Sequence, residues 1–215
     1  MGFYSHHIFP YLLEWVSVNP AMEHCREIVL GNAVGNVLEI GFGTGRNLRH
    51  YLPDLVSLTG IDANAGMNQK AYSRIAQVPF TVEHHVMDAE KLAFDDESFD
   101  TVVSTWTLCS ISNVRCALKE VYRVLKPGGY FLFVEHGRSD EFVVRRWQDR
   151  LVQVFRILGD GCHPNRDIRG LIESKNLKIT QLDRFYLEGV PKVGGYTYRG
   201  AARKSFKAAA LCSSI

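Results

Sequence analysis

The sequence predicts an α/β fold, a mostly parallel sheet with helices on both faces, in a single domain spanning residues 1–215. Three observations carry this expectation. From Asn36 onward, short apolar, β-branched runs alternate with segments whose apolar residues recur at helical spacing. A glycine turn, Gly41-Phe42-Gly43-Thr44-Gly45, joins the first of these runs to a helix-like stretch. Finally, two strand-like runs, Lys178 to Leu187 and Tyr196 to Lys204, end the pattern around a Gly/Pro-rich connection.

Taken in order, residues 1–34 read as a helical cover or lid. Asn19-Pro20 is its clearest start signal, Asn as cap and Pro at the first helical position. Residues 36–136 form the core that would hold a ligand. Its strands are Asn36 to Ile40, Leu55 to Ile61, Thr81 to Met87, Phe99 to Thr105 and Tyr130 to Glu135. Between them, Arg46 to Leu52, Ala65 to Gln77 and Asn113 to Leu125 read as helices, and Lys126-Pro127-Gly128-Gly129 as the turn that stops the last. Residues 137–204 supply a long amphipathic helix, Phe142 to Leu158, a loop at Gly159 to Pro164, a short helix at Asp167 to Lys175 and the final strand pair. A frayed tail is expected after Lys204.

Bulk properties narrow the function classes. The chain is 46% hydrophobic and 22% charged, with a formal charge of +2, so neither nucleic acid nor an anionic membrane is an expected partner. No apolar run is long enough for a transmembrane span, and no basic, cleavable leader precedes the cover. The five cysteines are odd in number and make no CxxC pair, so reduced thiols in the cytoplasm are expected rather than a disulfide framework or zinc ribbon. His84 and His85 alternate across a strand and cannot serve one metal; no metal site is expected. Oligomeric state is not legible.

The glycine turn is the strongest motif. Glycines at the end of a buried strand let the backbone turn tightly and approach a ligand. The spacing is GxGxG rather than GxGxxG, with Arg46 at the sixth position, and Glu39 precedes the first glycine by two residues. A carboxylate there repels a pyrophosphate but accepts charge-assisted hydrogen bonds from an ammonium-bearing ligand such as S-adenosylmethionine. Asp62, 21 residues beyond Gly41, stands where an acidic residue meets a ribose. Asp88-Ala89 close the third strand, where an adenine amino group would be received. Either aspartate also reads as a helix cap.

Together with Ser98-Phe99-Asp100 and Lys126-Pro127-Gly128-Gly129, these motifs resemble the class I S-adenosylmethionine-dependent methyltransferases, in the family's order, over residues 36–136. Within that family the resemblance is to the type 11, ubiquinone-biosynthesis-like branch. It implies a Rossmann-like, doubly wound sheet of seven strands with the last antiparallel. It implies S-adenosylmethionine as cofactor and S-adenosylhomocysteine as product. Glu39, Gly41, Phe42, Gly43, Thr44 and Gly45 would cradle the amino-acid end, Asp62-Ala63 the ribose and Asp88-Ala89 the adenine, with Thr105-Trp106 near the methionine moiety. A looser resemblance, through Val134-Glu135-His136, Trp147-Gln148, Gly159-Asp160-Gly161-Cys162 and Tyr196 to Gly200, is to a branch that includes the alkyl-thiol methyltransferases.

Methyl transfer from a sulfonium needs chiefly orientation, and a base only where the acceptor must lose a proton. His136, at the end of the fifth strand, is the candidate base, against the plainer reading of a packed strand-end histidine. Asp160 and His163 in the Gly159 loop, with Tyr4 and His7 in the N-terminal cover, are candidates for acceptor contact. Cys162 reads as a pocket or core thiol. The expected reaction is methylation of a small, partly apolar molecule at a thiol, amine, hydroxyl or carbon. The alternatives are an NAD-dependent oxidoreductase on a similar fold and a non-catalytic cofactor-binding module.

Overall fold

A computed structural model describes residues 2–16 and 18–206. Most of the tail expected after Lys204, Cys212 included, lies outside the described residues. The N-terminal cover begins with a π-helical turn, Tyr4–Ile8, that continues into α1 (Phe9–Val16) and is followed by α2 (Pro20–Leu30). Asn19 caps α2 as its position predicts, its side-chain oxygen accepting from the Ala21 amide at 2.8 Å.

The alternating core follows with β1 (Asn36–Ile40), β2 (Ser57–Asp62), α3 (Asn68–Ile75), β3 (Val82–Val86), β4 (Phe99–Thr105), α4 (Val114–Val124) and β5 (Leu125–His136). Then come α5 (Phe142–Leu158), α6 (Ile168–Glu173), β6 (Leu177–Tyr186), α7 (Lys192–Gly195) and β7 (Tyr196–Lys204). Two expectations change. The stretch from Arg46 forms only a 3-10 turn to His50, because Gly45 at φ +77° offers no side-chain cap and Pro53 disfavours helix at Leu52. The turn at Lys126-Pro127-Gly128-Gly129 is absorbed into β5 as an irregularity: Leu125 pairs with Phe99, and regular pairing with β4 resumes at Tyr130 opposite Thr101.

One sheet of seven strands results, in the order β3-β2-β1-β4-β5-β7-β6. It is parallel from β3 through β5, while β7 runs antiparallel to both β5 and β6. The sheet follows from its central strands β1, β4 and β5, which are mostly buried on both faces. Leu38, Val102, Phe131 and Phe133 pack with Leu118 and Val121 of α4 and Ile168 and Ile172 of α6. Their strand neighbours Val37, Val103, Leu132 and Val134 pack with Met22, Val29 and Leu30 of α2 and Ala71 of α3. Helices therefore cover both faces and leave the strand ends to form the site. Among the described residues no helix is long and apolar enough to cross a membrane.

Candidate active site

The carboxyl ends of β1 to β5 converge on a cavity of about 490 Å³. Its walls are Gly41 to Thr44 after β1, Asp62 to Asn64 after β2, Met87 to Glu90 after β3, Thr105 to Thr107 after β4, and His136 of β5. Gly41 sits at φ +73°, where a Cβ would lie 2.0 Å from Thr107 Oγ1, so both the backbone angle and the space demand glycine. At Gly43, φ +55°, a Cβ would meet nothing nearer than Leu13 at 3.8 Å; here the bare backbone faces the cavity. The Gly43 amide donates to Asp62 Oδ2 and the Asn64 amide to Asp62 Oδ1, each at 2.8 Å. Burial raises the Asp62 carboxyl above its ordinary value despite these two donors. Asp88 accepts from the Glu90 amide at 2.9 Å, a turn-forming bond, and still lines the cavity.

Glu39 is placed differently from expectation. It is 1% exposed and is not part of the cavity wall. Asn47, which does line the cavity, donates to Glu39 at 2.9 Å, and the Tyr51 hydroxyl donates to it at 2.6 Å. Burial pushes the Glu39 carboxyl up to about 7 against the pull of Tyr51, Asn47 and Arg26. Arg26 reaches the cavity from α2, donating to Asn47 Oδ1 at 3.1 Å, its guanidinium 4.8 Å over the Trp106 ring. Trp106 adopts φ +50°, and its buried Nε1 finds no partner among the described residues. Arg26 and Asn47 were missed by the sequence reading. The signal for Arg26 was present: a basic residue on the face of α2 that also carries Met22, Val29 and Leu30.

Phe9, Leu12, Leu13 and Val16 of α1, together with Phe155 and Leu158 of α5, form an apolar roof lining this cavity. Polar ties fix the roof to the walls. The Tyr4 hydroxyl donates to Leu158 O at 2.7 Å, Ser5 Oγ to Asp160 at 2.5 Å, and the Asn64 side chain to Ser5 O at 2.7 Å. Glu14 accepts from Thr44, from Arg46 at 3.2 Å and from both terminal nitrogens of Arg74 at 2.9 Å. Burial works to raise the Glu14 carboxyl, but Arg74 and Thr44 with Arg46 hold it at about 2. Its folded value lies below the ordinary 4.5, so this tie is at full strength above pH 4.5 and is lost as the pH falls toward 2. Glu14→Ala is expected to raise amide hydrogen exchange across α1 by at least about tenfold while β1 and β4 stay protected. Unchanged exchange would mean that the apolar contacts alone hold the roof.

The other expected residues divide cleanly. Asp160, at φ +47°, and His136 line the cavity with Ala63, Ala89, Thr105 and Trp106. Gly45 does not; it faces a separate hollow beside Arg49 and Phe80, because the chain has already turned away from the strand end. Tyr4 is occupied as a roof tie, and exposed His7 packs on Phe3 at 4.9 Å. His163 turns outward from the wall, its Nδ1 3.2 Å from Cys109 O and 3.3 Å from Arg166. One grouping was not anticipated: Cys109, His136 and Cys162 come together at the cavity, both thiol sulfurs 3.9 Å from His136 Nδ1.

Comparison with known proteins agrees with this geometry. The family described as "Methyltransferase domain" matches residues 38–133. The chain is 35% identical to the thiol S-methyltransferase TMT1B of Rattus norvegicus over 153 residues, 68% of this chain and 62% of that protein. It thus spans less than two thirds of that relative's length. Its fold superposes on the YcgJ protein of Bacillus subtilis with a TM-score of 0.66 at 18% identity, covering 86% of this chain and all of the other. A SAM-dependent methyltransferase from Methanosarcina mazei superposes with the same TM-score, 0.66, at 23% identity, covering 88% and 99% of the two chains.

Proposed function

Because the chain belongs to the class I S-adenosylmethionine-dependent methyltransferases, we propose that it transfers the cofactor's methyl group to the sulfur of a small, partly apolar thiol. The observation that carries this reading is the roofed cavity itself: acidic and glycine-lined along the strand ends, apolar overhead. The residues fit the cofactor. Gly43 leaves backbone bare where a side chain would intrude, and the buried Trp106 Nε1 is a donor in need of an acceptor. Asp62 would hold the ribose hydroxyls and Asp88 the adenine amino group. Asn47, braced from behind by Glu39, would hold the amino-acid end, with Arg26 available for its carboxylate.

When bound, the cofactor supplies a methyl group on a cationic sulfur that leaves as a neutral thioether. The protein's own contribution is orientation and exclusion of water. The apolar roof strips water from the acceptor, and the ties from Tyr4, Ser5 and Glu14 hold that roof in place. Cys109, His136 and Cys162 define the end of the cavity where an acceptor sulfur would lose its proton. The thiol preference draws on the relatives that carry that activity in their names; the apolar preference draws on the roof. The four described cysteines are unpaired, which supports a reducing, cytoplasmic setting.

The test is calorimetric titration with S-adenosylhomocysteine and separately with NADH, followed by turnover of S-adenosylmethionine with an alkyl thiol, an amine and a phenol. Saturable binding of the first nucleoside alone and turnover of the thiol are expected. NADH binding alone would restore the oxidoreductase reading; cofactor binding without any turnover would favour a binding module. His136→Ala is expected to slow thiol methylation by at least about tenfold with cofactor affinity retained. An unchanged rate would remove His136 from the reaction.

A further inference from the structure

Cys109 lies in the turn after β4, His136 is the last residue of β5, and Cys162 follows α5, so three separate segments deliver one ligand atom each. The two sulfurs and the imidazole nitrogen all lie within 4.8 Å of one another. Tetrahedral zinc with bonds of about 2.3 Å to sulfur and about 2.0–2.1 Å to nitrogen needs S···N separations of about 3.6 Å and an S···S separation of about 3.8 Å. The observed S···N separations are 3.9 Å each. The two sulfurs lie within 4.8 Å, so a few tenths of an ångström at the imidazole and up to about 1 Å between the sulfurs would close the set.

The surrounding chain holds the two cysteine turns together without help from the thiols. The His163 amide donates to Cys109 O at 2.8 Å, and Arg166 donates to Leu108 O. Cys109 and Cys162 are 1% and 8% exposed, so both sulfurs are shielded from bulk water. All three residues nevertheless line the main cavity. A closed structural zinc site has four protein ligands; this one has three and opens its fourth side onto the cavity, as sites that bind an exchangeable ligand do. Two thiolates and a neutral imidazole would also cancel the charge of a divalent ion at a wall that mixes apolar Trp106 and Ile111 with Ser110, Ser112 and Asp160.

We propose that Cys109, His136 and Cys162 bind one zinc ion whose open position takes the acceptor sulfur as a thiolate. The acceptor role rests on the thiol-methylation reading above; the metal site does not. Loading zinc releases the Cys109 and Cys162 thiol protons to solvent; on acceptor binding, the acceptor S–H likewise gives its proton to solvent and a sulfur lone pair occupies the metal. That sulfur then forms the new bond to the methyl carbon, while the old carbon–sulfur bond breaks with its electron pair remaining on the cofactor's sulfur.

The full chain, purified under reducing conditions, would be loaded with zinc, freed of excess by dialysis and assayed for metal by atomic emission. Parallel samples would be loaded with cobalt(II) for absorption spectroscopy. About one zinc per chain is expected, with cobalt giving thiolate charge-transfer and intense tetrahedral visible bands. Cys109→Ser and Cys162→Ser should each weaken metal binding by more than about 100-fold, and Cys116→Ser should leave it unchanged. Circular dichroism checks that the serine variants fold, and the wild-type cobalt spectrum stands even where they do not. No retained zinc, cobalt without charge-transfer bands, or serine variants that hold zinc like wild type would overturn the proposal. Thiol turnover by chelator-treated, zinc-free enzyme at the full rate would overturn the acceptor role and leave thiol methylation standing. Stoichiometric zinc without thiol turnover would support the site and refute the thiol reading.

Discussion

Asp62→Ala is expected to weaken S-adenosylhomocysteine binding by at least about 100-fold, the larger of the two effects foreseen for the cofactor side of the cavity. The carboxylate stands at the end of β2 with each oxygen already fixed by one backbone amide, Gly43 on one side and Asn64 on the other. It is thus held rigidly, and each oxygen keeps a lone pair for a vicinal hydroxyl of the ribose. Two charge-assisted hydrogen bonds at about 1.5–3 kcal/mol each account for that loss. The substitution also frees the Gly43 amide and so loosens the turn that lines the cavity. Calorimetry checks this directly. Affinity within a few-fold of wild type would reduce Asp62 to a brace for the glycine turn.

The second large effect concerns Glu39 and is read through pH. Its carboxyl is raised from the ordinary 4.5 to about 7, so the folded protein favours the protonated form. The stability this contributes is complete below pH 4.5 and is lost as the pH rises through 7. A shift of that size corresponds to about 3 kcal/mol. Glu39→Gln should therefore be more stable than wild type at pH 8 by about 1–3 kcal/mol, with a smaller gap at pH 5. Denaturant melts at the two pH values measure it. Glu39→Ala differs because it strands Asn47 and Tyr51 without their acceptor, at a cost of about 1–3 kcal/mol for each buried donor. A cationic ligand favours ionised Glu39, so wild-type cofactor affinity should rise about tenfold from pH 6 to pH 8, and Glu39→Gln should show no such rise. A flat wild-type profile would mean that the carboxylate does not sense the ligand.

What was legible in the sequence follows the range of the forces involved. The strands β1 and β4 and the helix α5 appear with the boundaries their apolar spacing predicts. The ends of strands carry the ligand crevice in any open parallel sheet, so Asp62, Asp88 and the glycine turn could be placed from chain order alone. The strand runs gave the count of seven, and the resemblance to a known family supplied the reversed last strand. Depth was not legible: Glu39 alternates correctly along β1, yet only the folded packing of Asn47 and Tyr51 puts it behind the wall. Nor were the ties of the expected N-terminal cover, which join Tyr4 to Leu158 and Glu14 to Arg74 across the length of the chain. Cys109, His136 and Cys162 have no telling spacing; the strand order β4-β5-β7 and the loop after α5 bring them together. Local periodicity carries no record of such meetings.

The reversed β7 also sets an order of events during synthesis. Strand β6 joins the sheet only through β7, yet it leaves the ribosome first. At about 5–20 residues per second, the interval between Tyr186 and Lys204 lasts about one to four seconds, in which β5 also keeps an open edge. Two unpaired strand edges in a nascent chain invite mispairing with a neighbour. The charged residues Lys178, Asp183 and Arg184 along β6 would discourage it, a safeguard during those seconds that continues along the outer edge β6 keeps in the finished sheet.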